Sequence, residues 1–112
     1  MCHALVIEDE MLIALELENL LADLGYGSFD IADTPQDALA CAMARRPDLM
    51  TANFRIVGGA GVEAVKAIRD RLGPIPFVYV TSNADLLRED APAAVVDKPI
   101  SSRALADACA RA

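Results

Sequence analysis

Apolar residues along the chain fall into short blocks that predict buried strands. Ala4-Leu5-Val6-Ile7 is a continuous apolar run, which is typical of a strand covered on both faces of a parallel sheet. Similar runs predict three further strands, and residues 28–32 form a weaker run that suits a sheet edge. The predicted strands are therefore 4–7, 28–32, 49–53, 76–81 and 94–96.

Between these strands the apolar residues recur at helical spacing. The first helix ends at Gly25 and Gly27, which suit a C-cap, and the second begins at Thr34-Pro35 and runs to about Arg46. A third helix precedes Gly73-Pro74, and Ser101 or Ser102 caps the last one. The residues predicted to face inward are Ile13, Leu17, Leu20, Leu21 and Leu24 in the first helix, Ala38, Leu39, Ala42 and Met43 in the second, and Val62, Val65, Ile68 and Leu72 in the third.

The pattern is weakest between Ser82 and Pro92. Residues 84–89 predict one or two helical turns at most, so the fourth helix is expected to be short or irregular. Alternating strands and helices in a chain of 112 residues predict one α/β domain over residues 1–112, with a parallel sheet covered by helices on both faces.

Composition excludes several classes of function. The net charge of −7 disfavours nucleic acid as a partner, because phosphate would be repelled. No apolar run approaches the length of a membrane span, and the first residues lack the features of an export signal. Cys2, Cys41 and Cys109 are odd in number and far apart, so we expect free thiols and a cytoplasmic protein. His3 is interpreted as an ordinary residue that lies before the first strand.

Polar residues follow the predicted strands at the edge where parallel α/β sheets place their ligands. Glu8 and Asp9 follow the first strand, Asn53 ends the third, Thr81 ends the fourth, and Lys98 follows the fifth. Paired carboxylates suit Mg²⁺, but an acidic first turn of the following helix explains them equally well. Each of these residues also has an ordinary structural explanation, and it is their joint placement on one rim that predicts a site.

This arrangement resembles a response-regulator receiver domain over the whole chain. The resemblance rests on Glu8-Asp9, on Pro47-Asp48-Leu49 ahead of position 53, on Gly61 at the third helix, on Thr81 and on Lys98-Pro99. It implies a flavodoxin-like fold with five strands in the order 2-1-3-4-5 and a cis peptide bond before Pro99.

The resemblance also implies a role for each rim residue. In such domains a central Asp accepts a phosphoryl group from a histidine kinase or phosphotransfer protein, and the domain then contacts a downstream effector protein. The phosphoacceptor position maps onto Asn53. Metal ligation maps onto Glu8, Asp9, Asn53 and the carbonyl of Arg55, and the switch and phosphate-contact roles map onto Thr81 and Lys98.

The chain departs from this pattern at the phosphoacceptor itself. An amide is not a nucleophile toward phosphorus, so Asn53 predicts that ordinary receiver chemistry is absent. It also removes one negative charge from the metal site, so Mg²⁺ binding is expected to be weakened. Val95 stands where the family usually carries an aromatic residue.

Three explanations of Asn53 stay open from sequence. The chain is a natural pseudo-receiver, an ordinary receiver with an engineered Asp-to-Asn substitution, or an unrelated flavodoxin-like ligand-binding module or small enzyme. We predict a two-component receiver domain that acts by protein contact and is not an enzyme. A contact surface that can support a homodimer is expected near Leu86, Leu87, Val96 and Ile100.

Overall fold

The fold is known from a computed structural model that describes residues 2–53, 55–56, 59–81, 94–97 and 102–111. Seven strands and four helices lie in these residues. The strands are β1 (Cys2–Ile7), β2 (Tyr26–Ala32), β3 (Leu49–Ala52), β4 (Arg55–Ile56), β5 (Gly59–Ala60), β6 (Phe77–Thr81) and β7 (Ala94–Asp97). The helices are α1 (Met11–Asp23), α2 (Pro35–Ala44), α3 (Gly61–Leu72) and α4 (Ser102–Arg111).

Five of the strands form one parallel sheet in the order β2-β1-β3-β6-β7. When only these five strands are numbered along the chain, their order across the sheet is 2-1-3-4-5. β1 lies between β2 and β3, with Ile7 paired to Ala32 on one side and to Ala52 on the other. The carboxyl ends of β1 and β3 therefore meet at the same edge. β4 and β5 form a separate antiparallel pair, which the sequence pattern did not predict.

Helices cover both faces of the sheet, as predicted, because alternate strand residues point to opposite faces. One core lies under α2 and α3, and the other lies under α1 and α4. The first contains Leu5, Ile7, Ala32, Ala38, Ala42, Met50, Ala52, Ala64, Val65, Ile68, Ile75 and Tyr79. The second contains Ala4, Val6, Ala14, Leu17, Leu21, Leu49, Val78, Val80, Leu105 and Ala108.

The structure corrects the interpretation of His3. This residue lies inside β1, and its side chain is buried. Nε2 lies 3.0 Å from the Oδ2 atom of Asp30, and Nδ1 lies 2.9 Å from the hydroxyl oxygen of Ser28. The backbone N–H donates to the Asp48 carboxylate at 2.7 Å. His3 therefore links β1 to β2 and to the residue before β3. The sequence pattern placed His3 before the strand because the apolar run begins only at Ala4.

The turn after α1 also differs from the prediction. Gly25 adopts φ +105°, a conformation that favours glycine, and it ends the helix. β2 begins at once at Tyr26, paired with Cys2, so Gly27 belongs to the strand and not to a cap. Leu24, predicted to face inward, is the C-cap residue and is 42% exposed.

The second helix is shorter than predicted. α2 ends at Ala44, and its buried residues are Ala38 and Ala42. Met43 was expected to face inward but is 51% exposed. The fully buried side chains of α2 are thus small, and Leu39 and Cys41 pack against the same core while partly exposed.

Several predictions fall outside the described residues. These are the short helix at 84–89, Leu86, Leu87, Ile100, Lys98 and the peptide bond before Pro99. In the part of the chain that the structure describes, no helix combines the length and the apolar character that crossing a membrane requires.

Candidate functional site

The candidate site lies where β1 and β3 end side by side. The Glu8 N–H donates to the carbonyl of Ala32 at 2.8 Å, and the Asn53 N–H donates to the carbonyl of Ile7 at 2.9 Å. Both residues directly follow their strands, so ladder-like hydrogen bonds to neighbouring strands hold their backbones in place. The sheet register brings together two side chains that are 45 residues apart in the sequence.

Glu8 is the buried member of this site, with only 2% of its surface exposed. Its Oε2 atom accepts hydrogen bonds from the backbone N–H of Glu10 at 3.1 Å and from Nδ2 of Asn53 at 3.0 Å. A buried carboxylate needs such donors, since desolvation of an unpaired charge is costly. The contribution of the Glu10 backbone was not predicted, because a main-chain donor leaves no signal in the residue type.

Asp9 and Glu10 complete an acidic cluster at the same rim. One side-chain oxygen from each of Glu8, Asp9 and Glu10 lies within 4.8 Å of the others, with Glu8 buried and the other two exposed. Hard cations such as Mg²⁺ prefer oxygen ligands and are commonly held by one or two carboxylates and several waters. The donor set therefore fits Mg²⁺: a buried carboxylate is already oriented, and exposed carboxylates stand beside it.

The start of α1 argues against the explanation that these acidic residues form the first turn of the helix. Glu10 is the N-cap residue and makes no side-chain capping hydrogen bond, and the first turn of α1 contains no acidic residue. Glu8 is instead directed to Asn53 and the Glu10 backbone. The buried carboxylate therefore belongs to the rim of the sheet and not to the helix dipole.

The structure describes some of the remaining predicted site residues and not others. Thr81 is the last residue of β6, in register with Asp97 at the end of β7. Arg55 begins β4, two residues beyond Asn53. Lys98 and Pro99 lie outside the described residues. The structure thus brings Glu8, Asp9 and Asn53 together and puts Thr81 at the corresponding strand end.

A cavity lies elsewhere, between α3 and β6. It has a volume of about 410 Å³ and is lined by residues of α3 and β6, among them Lys66, Arg69 and Tyr79. The guanidinium of Arg69 lies 4.8 Å from the centre of the Phe77 ring, and that ring meets Tyr79 edge-on. Burial raises the pKa of Tyr79, an effect that the nearby Arg69 partly offsets. None of its lining residues belongs to the acidic rim, so we assign the candidate chemistry to the rim and not to this cavity.

The fold and the rim together define a doubly wound α/β domain with an acidic, cation-type site at the carboxyl ends of its strands. The chain belongs to the response regulator receiver domain family, whose profile matches residues 4–110.

Comparison with curated proteins agrees with this assignment. PhyR of Methylorubrum extorquens, named a phyllosphere-induced regulator, is 34% identical over 80 residues, which are 70% of this chain and 30% of that protein. The transcriptional regulatory protein PdtaR of Mycobacterium tuberculosis is 31% identical over 103 residues, 88% of this chain and 50% of that protein. The chain thus spans half or less of the length of these two relatives. The chemotaxis protein CheY of Pseudomonas aeruginosa is 30% identical over 108 residues, 90% of this chain and 87% of that protein.

Solved structures show the same relationship. The receiver domain of the Erythrobacter litoralis PhyR response regulator superposes with a TM-score of 0.84 at 28% identity, covering 96% of this chain and 85% of that one. A Bartonella quintana PhyR, described as an anti-anti-sigma factor, superposes with a TM-score of 0.80 at 26% identity, covering 99% of this chain and 48% of that one.

Proposed function

We propose that this chain is a receiver domain that signals through protein contacts and does not accept a phosphoryl group at position 53. The observation that supports this is the side chain of Asn53, which stands at the end of β3 and hydrogen-bonds to the buried Glu8. Its nitrogen lone pair is delocalised into the carbonyl, so it cannot attack phosphorus to form an acyl phosphate. The rim keeps its acidic cluster but has no carboxylate nucleophile at the strand end.

We also propose that the acidic rim binds Mg²⁺, although weakly. Glu8, Asp9 and the carbonyl of Arg55 would hold the ion, which in a phosphorylatable receiver offsets the charge on the phosphoryl oxygens. Asn53 supplies no negative charge where the family carries Asp, and attraction to a divalent ion scales with the charge that surrounds it. The affinity for Mg²⁺ should therefore be lower than that of an Asn53→Asp variant.

Exposed apolar side chains support a function based on contact. Met11, Leu12 and Leu15 at the start of α1 are 59%, 82% and 46% exposed, directly beside the acidic rim. Clustered apolar side chains on a surface are typical of protein-binding sites. We propose a histidine kinase or phosphotransfer protein as the partner at this face, and a regulatory protein downstream, as the likeness to a PhyR described as an anti-anti-sigma factor suggests.

A cytoplasmic setting is part of the same proposal. The three cysteines form no disulfide, and Cys2 is exposed. Burial raises the pKa of the Cys109 thiol, which disfavours the reactive thiolate. Free thiols of this kind suit a reducing compartment.

The test is to restore the missing carboxylate. The chain and its Asn53→Asp variant would be incubated with Mg²⁺ and acetyl phosphate, and intact masses would be measured. The variant should gain the mass of one phosphoryl group and lose it in base, because phosphoryl transfer depends mainly on positioning and charge compensation. The unsubstituted chain should stay unmodified.

A phosphoryl group on Asn53 of the unsubstituted chain would overturn the proposal. If the Asn53→Asp variant binds Mg²⁺ but is not phosphorylated, groups other than residue 53 have also diverged from the phosphorylatable arrangement. An Asp9→Ala substitution added to the Asn53→Asp variant is the matched control, since it should abolish Mg²⁺-dependent labelling.

A further inference from the structure

The amide of Asn53 faces Glu8 as a hydrogen-bond donor. Nδ2 of Asn53 lies 3.0 Å from Oε2 of Glu8. The amide nitrogen can only donate hydrogen bonds, so the Glu8 oxygen that faces it is the acceptor. The carbonyl oxygen of the amide, the atom that could ligate a cation, is therefore not the atom that faces the buried carboxylate.

We infer that Asn53 is a positioning residue that occupies one oxygen of Glu8 in place of a cation: its N–H holds Oε2, and a divalent cation that binds this oxygen competes with the hydrogen bond. The inference rests on the proposed function, because it concerns the same rim. It assigns Asn53 an inhibitory role toward the metal, in contrast to the ligand role that the resemblance to receiver domains implies.

Two features give this hydrogen bond its strength. The carboxylate is almost completely buried, and hydrogen bonds to charged groups away from water are stronger than those between neutral groups. The backbone N–H of Asn53 also donates to the carbonyl of Ile7 at 2.9 Å. The backbone is therefore held beside Glu8, and the amide loses little conformational entropy when it forms its hydrogen bond. The Glu10 N–H donates to the same Oε2 atom at 3.1 Å, and both donors thus converge on one oxygen.

The Nδ2–H group of Asn53 carries a partial positive charge and hydrogen-bonds to Oε2 of Glu8. A divalent cation that binds the same oxygen competes with this hydrogen bond. Removing the amide should therefore leave one competing donor fewer on Oε2, where the Glu10 N–H remains, and the cation should bind more tightly. If Asn53 were a metal ligand, removing the same amide would instead weaken cation binding. The two roles predict opposite signs for one substitution.

The experiment is a calorimetric titration of MgCl₂ into the chain and into its Asn53→Ala variant. Loss of a charge-assisted hydrogen bond that competes with the ion predicts binding about tenfold tighter in the variant. Asn19→Ala, which truncates an exposed asparagine of α1, is the matched control and should leave the affinity unchanged. Asp9→Ala should lower the affinity, which verifies that the titration reports on the rim. Equal or weaker binding by Asn53→Ala would overturn the inference.

A second measurement uses the unsubstituted chain and does not depend on the stability of a variant. The two Nδ2 proton signals of Asn53 should change on addition of saturating MgCl₂, as one proton loses its carboxylate acceptor, while those of Asn19 should not. Unchanged Asn53 signals at saturation would show that the hydrogen bond and the ion coexist, and the inference would fail. Neither result bears on whether Asn53 can be phosphorylated, which the mass measurement decides separately.

Discussion

Among the residues whose burial the structure describes, His3, Glu8 and Thr51 have buried polar side chains. The first two have hydrogen-bond partners from other segments of the chain, and each links neighbouring strands. Thr51 differs, because its hydroxyl oxygen is fully buried and has no hydrogen-bond partner. A buried polar atom without a partner lowers stability, since it gives up its hydrogen bonds to water.

Substitution of Thr51 should therefore stabilise the protein. Thr51→Val keeps the branched shape in the middle of β3 and replaces the hydroxyl by a methyl group. The free energy of unfolding should rise by about 1 kcal/mol, which urea denaturation would measure. Thr51→Ser is the control: it keeps the hydroxyl, removes a methyl group and should destabilise. A valine variant less stable than the original chain would show that the hydroxyl makes an interaction beyond those described.

Among the elements, α2 has the clearest start. Thr34 is in an extended conformation, its hydroxyl oxygen accepts from the Asp37 N–H at 3.1 Å, and Pro35 is the first helical residue. Pro35 needs no N–H partner at that position, and Asp37 places a negative charge near the positive end of the helix. This helix start was predicted from sequence because every interaction in it is local.

Loss of the cap should cost a measurable part of the stability. Thr34→Ala leaves the Asp37 N–H without its side-chain acceptor and should lower the free energy of unfolding by about 1 kcal/mol. Thr34→Ser keeps an acceptor oxygen and should retain most of the stability in the same denaturation experiment. Equal losses for the two variants would point to the methyl group of Thr34 and not to its hydroxyl.

For the whole molecule, burial of titratable groups predicts how stability changes at high pH. Tyr79 is 3% exposed, and its pKa is raised above the ordinary value of 10.0, chiefly by desolvation and despite the nearby Arg69. In the unfolded chain the phenol loses its proton near that ordinary value, whereas in the folded chain it keeps the proton to higher pH. The folded state therefore binds more protons, and stability falls as the pH rises through this range.

A Tyr79→Phe variant should lose less stability in alkali. Urea midpoints at about pH 8 and about pH 11 should differ by less in the variant than in the original chain, because the difference in proton binding at this site is removed. Phe77→Leu changes the neighbouring ring but keeps the titrating phenol of Tyr79, so most of the alkaline loss should remain. The same loss in Tyr79→Phe as in the original chain would assign the effect to other groups, such as Tyr26 and Cys109, whose pKa values burial also raises.

The sequence by itself determined the features that local pattern and residue chemistry control. The apolar runs indicated the strands of the main sheet, helical spacing indicated the inward faces of α1 and α3, and Thr34 marked the start of α2. Glu8, Asp9 and Asn53 were predicted as site residues because they lie at the carboxyl ends of predicted strands. The prediction that Asn53 does not act as a nucleophile rests on the chemistry of its amide alone.

Only the tertiary structure decided how these residues interact. It placed His3 inside β1, turned Met43 and Leu24 outward, and directed the Asn53 amide to the buried Glu8 carboxylate. None of this can be read from local pattern, because Glu8 and Asn53 are 45 residues apart and meet only through the register of β1 against β3. Hydrogen bonds between distant segments depend on how strands are paired, whereas strands and helix caps depend on neighbours in the chain. The residues of the rim could therefore be named from the sequence, but the hydrogen-bond partners of Glu8 and Asn53 became known only with the fold.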